Sequence, residues 1–306
     1  MVEPPPSPRD RDAARVRKGV ALALLAAVAT GCYFVPFKVA AGETSRELVV
    51  LAIMLVAAVL NTVTAARPRR AAPWRSRVML ETIALFTVLT LVGNLALAAS
   101  LRSLDAGVAS VLNQTQIVFV AVGGWLTLGE RSSRRFGVGV LVVLAGLVVM
   151  RLPEDGAPAV AGAGIVWALA AALCFAAIHL WTRRVIERIA PVVVNAARLW
   201  LTVLALVCVP GNLDALQGMS SRLWLLCAGA ALAGPFLSRL SIMYAVRYIT
   251  ASQSALIALL APVVAFTLDY ALLGATPSRL QVLGAAVVLL GVALPVLELA
   301  RREPSR

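Results

Sequence analysis

The sequence predicts an all-α integral membrane protein, with ten transmembrane helices arranged as two inverted five-helix repeats. Three observations predict it. The composition is 60% hydrophobic and 14% charged over 306 residues, with a mean hydropathy of +0.89, more apolar material than a soluble core of this size needs. The chain also repeats itself at an offset of 145 residues, which pairs Arg102 with Arg247, Val118 with Val263, Gly129 with Gly274, Gly146 with Gly291 and, further back, Gly19 with Gly164. Finally, Lys and Arg are concentrated in alternate loops.

A hydrocarbon core of roughly 30 Å needs about 20 apolar residues of helix. Ten segments approach that length: 20–41, 48–66, 78–101, 108–128, 136–152, 160–180, 192–209, 223–245, 251–273 and 280–300. The domains expected are a disordered cytoplasmic tail over 1–18, a first repeat over 19–152, a second over 158–300, and a short cytoplasmic tail over 301–306. The Pro-rich, charged start is followed by an apolar run too long for a signal-peptide core, so the run is read as a retained helix.

Basic clusters precede the first segment (Arg9 to Lys18) and follow the second (Arg67 to Arg77), the fourth (Arg131, Arg134, Arg135) and the sixth (Arg183, Arg184, Arg188). The alternate loops carry single residues: Arg46, Arg102, Arg151, Arg222 and Arg279. Both termini are therefore expected in the cytoplasm, in the cell membrane. Five helices per copy is an odd number, so the second copy must enter the bilayer upside down. Such repeats alternate access to a site at their interface.

The net charge of +13 would suggest nucleic acid in a soluble protein, but here it follows the loops, so no nucleic-acid partner is expected. Cys32, Cys174, Cys208 and Cys227 lie within apolar runs without CxxC spacing, and there is one His, so neither disulfides, a metal site nor a cofactor is expected. No P-loop, HExxH or paired carboxylates occur, which argues against an ATP-driven pump and a membrane enzyme.

The ten-segment, two-halved pattern, with LGERSSRRFGVGVLVVLAGLVV closing the first half and TGCYFVPFKVA ending the first helix, resembles the EamA branch of the drug/metabolite transporter superfamily. The resemblance runs from Gly19 to Ala300. It implies a permease without enzymatic activity, driven by a proton or other gradient, that exports small molecules such as amino acids, metabolites or drugs. The halves depart from each other where Ala275 answers Glu130 and Ile53 answers Arg198, so charge-dependent roles belong to one copy only.

Ionisable residues inside the hydrocarbon are costly and mark function. Lys38 and Asp269 both fall about 27 Å above the inner starts of their helices, and are expected to pair. Arg198 and Arg239 share the inner third, within reach of Glu81. Asn113, Gln114, Thr115 and Gln116 form a polar cluster answered in the second copy by Ala258, Leu259, Leu260 and Ala261. Asn113 and Gln116 share a helical face, whereas Gln114 points elsewhere.

Pro36, Pro235 and Pro262 interrupt helices, Tyr33 and Tyr270 are expected along the cavity, and Glu130 is expected to close a charge-paired cytoplasmic turn. The substrate expected is a small, amino-acid-like metabolite, zwitterionic or anionic. Efflux of lipophilic cations and a non-transporting scaffold are the alternatives. The small residues Gly139, Gly146, Gly284 and Gly291 suit either internal helix packing or a homodimer seam.

Overall fold

The computed structural model describes residues 8–65, 76–128, 134–149, 162–185, 188–189, 191–245, 248–249 and 257–302. Among them the protein is helical without strands. The first repeat holds α1 (Pro8–Glu43), α2 (Arg46–Ala65), α3 (Arg77–Leu101), α4 (Ala106–Gln114), α5 (Gln116–Leu128) and α6 (Arg134–Val149). The second holds α7 (Gly162–Val185), α8 (Pro191–Val207), the short α9 (Asn212–Gln217), α10 (Ser221–Ala231), a π-helical segment (Leu232–Ser238), α11 (Arg239–Ala245), α12 (Leu260–Leu273) and α13 (Arg279–Arg302).

Five stretches are long and apolar enough to cross a membrane: Ala14–Glu43, Arg46–Thr64, Arg77–Leu101, Gly162–Thr182 and Ser221–Ile242. Shorter apolar helices accompany them at Ala106–Val120, Val192–Val207, Leu260–Leu273 and Arg279–Gly291. The protein is a multi-pass membrane protein.

Two features differ from expectation. The helix of α1 begins at Pro8, so residues 8–18, expected to be disordered, are helical. Proline is suited to a first helical turn, and extending an existing helix needs no new nucleus. The fourth segment is two helices, interrupted at Thr115, whose backbone N–H and side-chain Oγ1 both donate to the carbonyl of Leu112 at 3.1 and 2.7 Å. Those bonds reach back three residues and tighten the turn.

The packing exchanges when the repeats are exchanged. α3 lies on α7 as α1 lies on α10, the π segment and α11; α1 meets α12 as α7 meets α4 and α5; α2 faces α8 and α6 faces α13. The register agrees residue by residue. A Cβ on Gly19 would meet Tyr248 and Ile249, and one on Gly164 would meet Ser103 and Leu104, each the other's counterpart at 145. α6 runs antiparallel to its own counterpart α13, because Gly146 abuts Gly284 and Val288 while Gly291 abuts Gly139 and Val143. The small-residue stripe is thus filled within one chain.

The apolar core sits where α1 and α2 meet their neighbours, around Phe34, Phe37, Leu51, Ile53 and Met54, all fully buried. Small residues dominate the rest of it, with Ala40, Ala41, Ala57 and Ala58 letting helix backbones approach closely.

Candidate functional site

Three prolines shape the centre of the bundle. Each lacks a backbone N–H and displaces the carbonyl four residues earlier. Pro36 lies inside the long α1. Around Pro235 the helix widens into the π segment, and there Gly234 lets the Tyr33 ring lie so close that a Cβ would come within 2.5 Å of it. Pro262 leaves the carbonyl of Ala258 without its helical donor, and Gln114 Nε2 donates to that carbonyl at 3.0 Å. The interruption in the second repeat is therefore clasped by a side chain from the interruption in the first.

These irregular stretches border a cavity of about 180 Å³. Its lining combines Tyr33, Thr90, Asn94, Asn113, Gln114, Gln116, His179, Arg198, Ser238 and Arg239 with apolar Ala27, Phe34, Leu97, Phe175 and Ile242. Five of the residues expected at a site thus share one cavity with Tyr33 among them: Asn113, Gln116, Arg198, Arg239 and Tyr33. Gln114 joins them against expectation: it neighbours Asn113 in α4 and is held at the lining by the carbonyl of Ala258, whereas the face drawn from Asn113 to Gln116 does not run through the interruption at Thr115.

Arg198 is buried and braced. Its Nε donates to Asn195 Oδ1 at 2.9 Å, its Nη1 donates to Thr90 Oγ1 at 2.9 Å, and its guanidinium lies 5.9 Å from the centre of the Phe86 ring. Asn195 Nδ2 in turn donates to Asn61 Oδ1 at 2.7 Å, tying α8 to α2. Arg239, half-buried, lines the same cavity and interacts electrostatically with Arg198 and Tyr33. Tyr33 donates its hydroxyl to Asn94 Oδ1 at 3.1 Å, and Asn94 Nδ2 donates to the carbonyl of Thr90 at 2.7 Å. Among the described residues, no acidic side chain lines the cavity. Glu81, expected near the arginines, pairs instead with Arg77 at 2.8 Å on the exposed face one turn away.

The other charged pair also differs from expectation. Lys38 forms its ion pair with Asp105 at 2.5 Å, and acts on Asp269 through its charge without an ion pair. Asp269 is only 1% exposed and accepts from the backbone N–H of Gly107 at 3.1 Å. It therefore serves α4, whose first N–H groups have no intrahelical partner and whose dipole favours an anion. Asp105, one residue before that helix, was the nearer acid for Lys38. None of these three lines the cavity, nor do Pro36 and Pro262, and Tyr270 lies exposed on the outer surface. Glu130 lies outside the described residues.

Thr90, Asn94, Asn195 and Asn61 were barely legible as site residues from the sequence. A spacing of four between Thr90 and Asn94, and of three between Asn195 and Arg198, puts each pair on one helix face, a signal that neutral residues in an apolar run carry only weakly.

No curated protein matches the chain. One solved crystal structure, described only as that of a protein, is similar with a TM-score of 0.58 at 19% identity, covering 96% of this chain and 99% of the other, a likeness of fold alone. The profile of the EamA-like transporter family matches residues 17–152 and again residues 162–297. Two copies of that unit, an apolar helical bundle and a cavity at the meeting of the copies go together: the chain belongs to the EamA-like transporter family, membrane transporters of small molecules.

Proposed function

We propose that the protein is a secondary transporter that exports a small, amino-acid-like metabolite bearing an anionic group across the cell membrane by alternating access. The observation that carries this reading is the pair Arg198 and Arg239 in one cavity that no acid lines among the described residues. Inside a water-poor bundle their field is weakly screened. A guanidinium presents a planar fork that matches carboxylate or phosphate oxygens, and Arg239 has no hydrogen bond or ion pair to its side chain among the described residues.

The topology proposed is ten spans in two inverted repeats with both termini in the cytoplasm. It is supported by the antiparallel packing of the counterparts α6 and α13 and by the basic residues Arg15, Arg17 and Lys18 before the first span. In that orientation the cavity residues Ala23, His179 and Ile242 belong to the cytoplasmic half, which suits loading from inside. A proton or solute gradient would drive the cycle, since no nucleotide motif is present. The competing reading, efflux of lipophilic cations, requires an acid in the cavity, and Asp269 serves α4 instead.

The test has two steps. Intracellular and extracellular metabolite pools of cells lacking and overproducing the protein identify a candidate, whose flux is then measured in proteoliposomes. An anionic or zwitterionic metabolite should accumulate inside the deletion strain, and its flux should fall at least about tenfold in Arg239→Gln. Flux of lipophilic cations that survives loss of both arginines would sink the proposal.

A further inference from the structure

Two arginines share the cavity, and among the described residues neither has an acidic partner. The acids that form ion pairs are committed elsewhere: Glu43 to Arg222, Glu47 to Arg46, Glu81 to Arg77 and Asp105 to Lys38. Asp269 is bound to the N–H of Gly107. The titratable neutral groups of the lining add no negative charge either. Tyr33 donates its hydroxyl hydrogen to Asn94 Oδ1, so it is the neutral phenol. Nδ1 of His179 lies 2.7 Å from the carbonyl of Phe175, which only accepts, so the ring carries a hydrogen there and is neutral or cationic.

The fold does not call for these charges. Both arginines belong to the second repeat, and at the matching positions of the first stand Ile53, fully buried in the apolar core, and the neutral Asn94. The same places in the bundle thus pack without a charge, and an unpaired buried cation is costly where apolar packing would serve. Repulsion between the two guanidinium groups adds to that cost, because a water-poor space screens it weakly. An excess of two positive charges is therefore a property of the site.

The hydrogen-bond donors count the same way. Arg198 spends Nε and Nη1 on Asn195 and Thr90, and its Nη2 has no partner among the described residues, where Arg239 has no hydrogen bond at all. Each guanidinium keeps N–H groups that suit an anionic oxygen. A ligand with one negative charge offsets one arginine and leaves the other uncompensated. A cavity of about 180 Å³ holds the ligand to a small molecule.

We propose that Arg198 and Arg239 act together as a site for a small molecule with two negative charges, a dicarboxylate or a phosphate monoester, so that a singly charged analogue of the same shape is a poor ligand. The inference rests on the proposed anion-binding role of the two arginines and deepens it by fixing the charge of what they bind.

The test uses the full-length protein in phosphatidylcholine nanodiscs, at about pH 8, where a phosphate monoester with its second pKa of about 6 is doubly charged. Equilibrium binding is measured for the dicarboxylates from malonate to adipate, and for L-glutamate, each beside its monoamide, which keeps the shape and loses one charge. Glycerol phosphate beside its methyl diester forms the second arm, and tells a phosphate site from a dicarboxylate site. In at least one arm the doubly charged member should bind at least about tenfold more tightly than its partner, as loss of a charged hydrogen-bonding group implies. Arg239→Gln should bring that ratio close to one, and Arg239→Lys, which keeps the charge, should retain most of it.

The comparison in the wild-type protein stands by itself if Arg239→Gln fails to fold. Singly charged members that bind as tightly as their doubly charged partners, or a ratio that survives in Arg239→Gln, overturn the two-charge site and leave the single-anion reading standing. Binding of none of these anions overturns both.

Discussion

Gly146 and Gly291 each press the helix that carries the other. A Cβ on Gly146 would lie 2.8 Å from the backbone nitrogen of Val288, and one on Gly291 would lie 2.7 Å from that of Val143. The obstacle is main chain, which cannot rotate away. Gly146→Ala and Gly291→Ala should therefore each cost about 1–3 kcal/mol as overpacking, and by similar amounts, since the two environments are equivalent. Gly42→Ala, where nothing lies within 4 Å, should be neutral or slightly stabilising. Thermal unfolding in detergent, followed by gel filtration, reads all three. Unequal losses at the two seam glycines would contradict the equivalence.

Lys38 and Asp105 form a half-exposed pair, with side chains 22% and 40% exposed, so solvent screens it. A double-mutant cycle over Lys38→Met and Asp105→Asn should give a coupling of roughly 1 kcal/mol or less, and the same cycle with Asp269→Asn a smaller one. Asp269→Leu should be worse than Asp269→Asn, because the asparagine retains an oxygen for the N–H of Gly107 whereas leucine leaves that donor unpaired. If Lys38 couples more strongly to Asp269 than to Asp105, the pairing described above is wrong.

The two arginines should separate stability from binding. Arg198 holds Thr90 and Asn195, so Arg198→Lys, which keeps the charge but loses the planar fork, should lower both the melting temperature and substrate affinity. Arg239→Gln should weaken affinity by about tenfold or more with little change in melting temperature. A large loss of folded protein in Arg239→Gln would show that its role is structural.

Pro262→Ala returns an N–H to the carbonyl of Ala258, so the helical bond competes with Gln114 for the same acceptor. The variant should unfold at a higher temperature and transport more slowly, with substrate affinity nearly kept, if the interruption is where the bundle flexes. Stopped-flow flux against binding measurements distinguishes the outcomes. Turnover equal to wild type would remove the flexing role from this position.

Orientation is open to direct labelling. In a background with Cys32, Cys174, Cys208 and Cys227 replaced, an impermeant maleimide applied to intact cells should modify Ser103→Cys and spare Arg15→Cys, both at exposed positions. Ser103 serves better than the neighbouring Leu104, which is buried. Modification of Arg15→Cys from outside would reverse the assignment of the termini.

The sequence by itself determined the repeat, its register and the membrane character. The 145-residue offset that pairs Gly146 with Gly291 and Gly19 with Gly164 is the register in which these helices pack, because glycine positions and apolar length are local properties written directly in the residues. It also singled out Arg198 and Arg239, since a charge in an apolar run is costly wherever it points. Tertiary structure alone decided the partners. Lys38 takes Asp105 because helix depth says nothing of azimuth, and Asp269 goes to the N-terminus of α4 because only the folded bundle brings those N–H groups to it. Gln114 lines the cavity beside Asn113 because Pro262, 148 residues away along the chain, frees the carbonyl that holds its amide in place, and the sequence missed it because the 3.6-residue period joining Asn113 to Gln116 does not carry a side chain's direction across the interruption at Thr115.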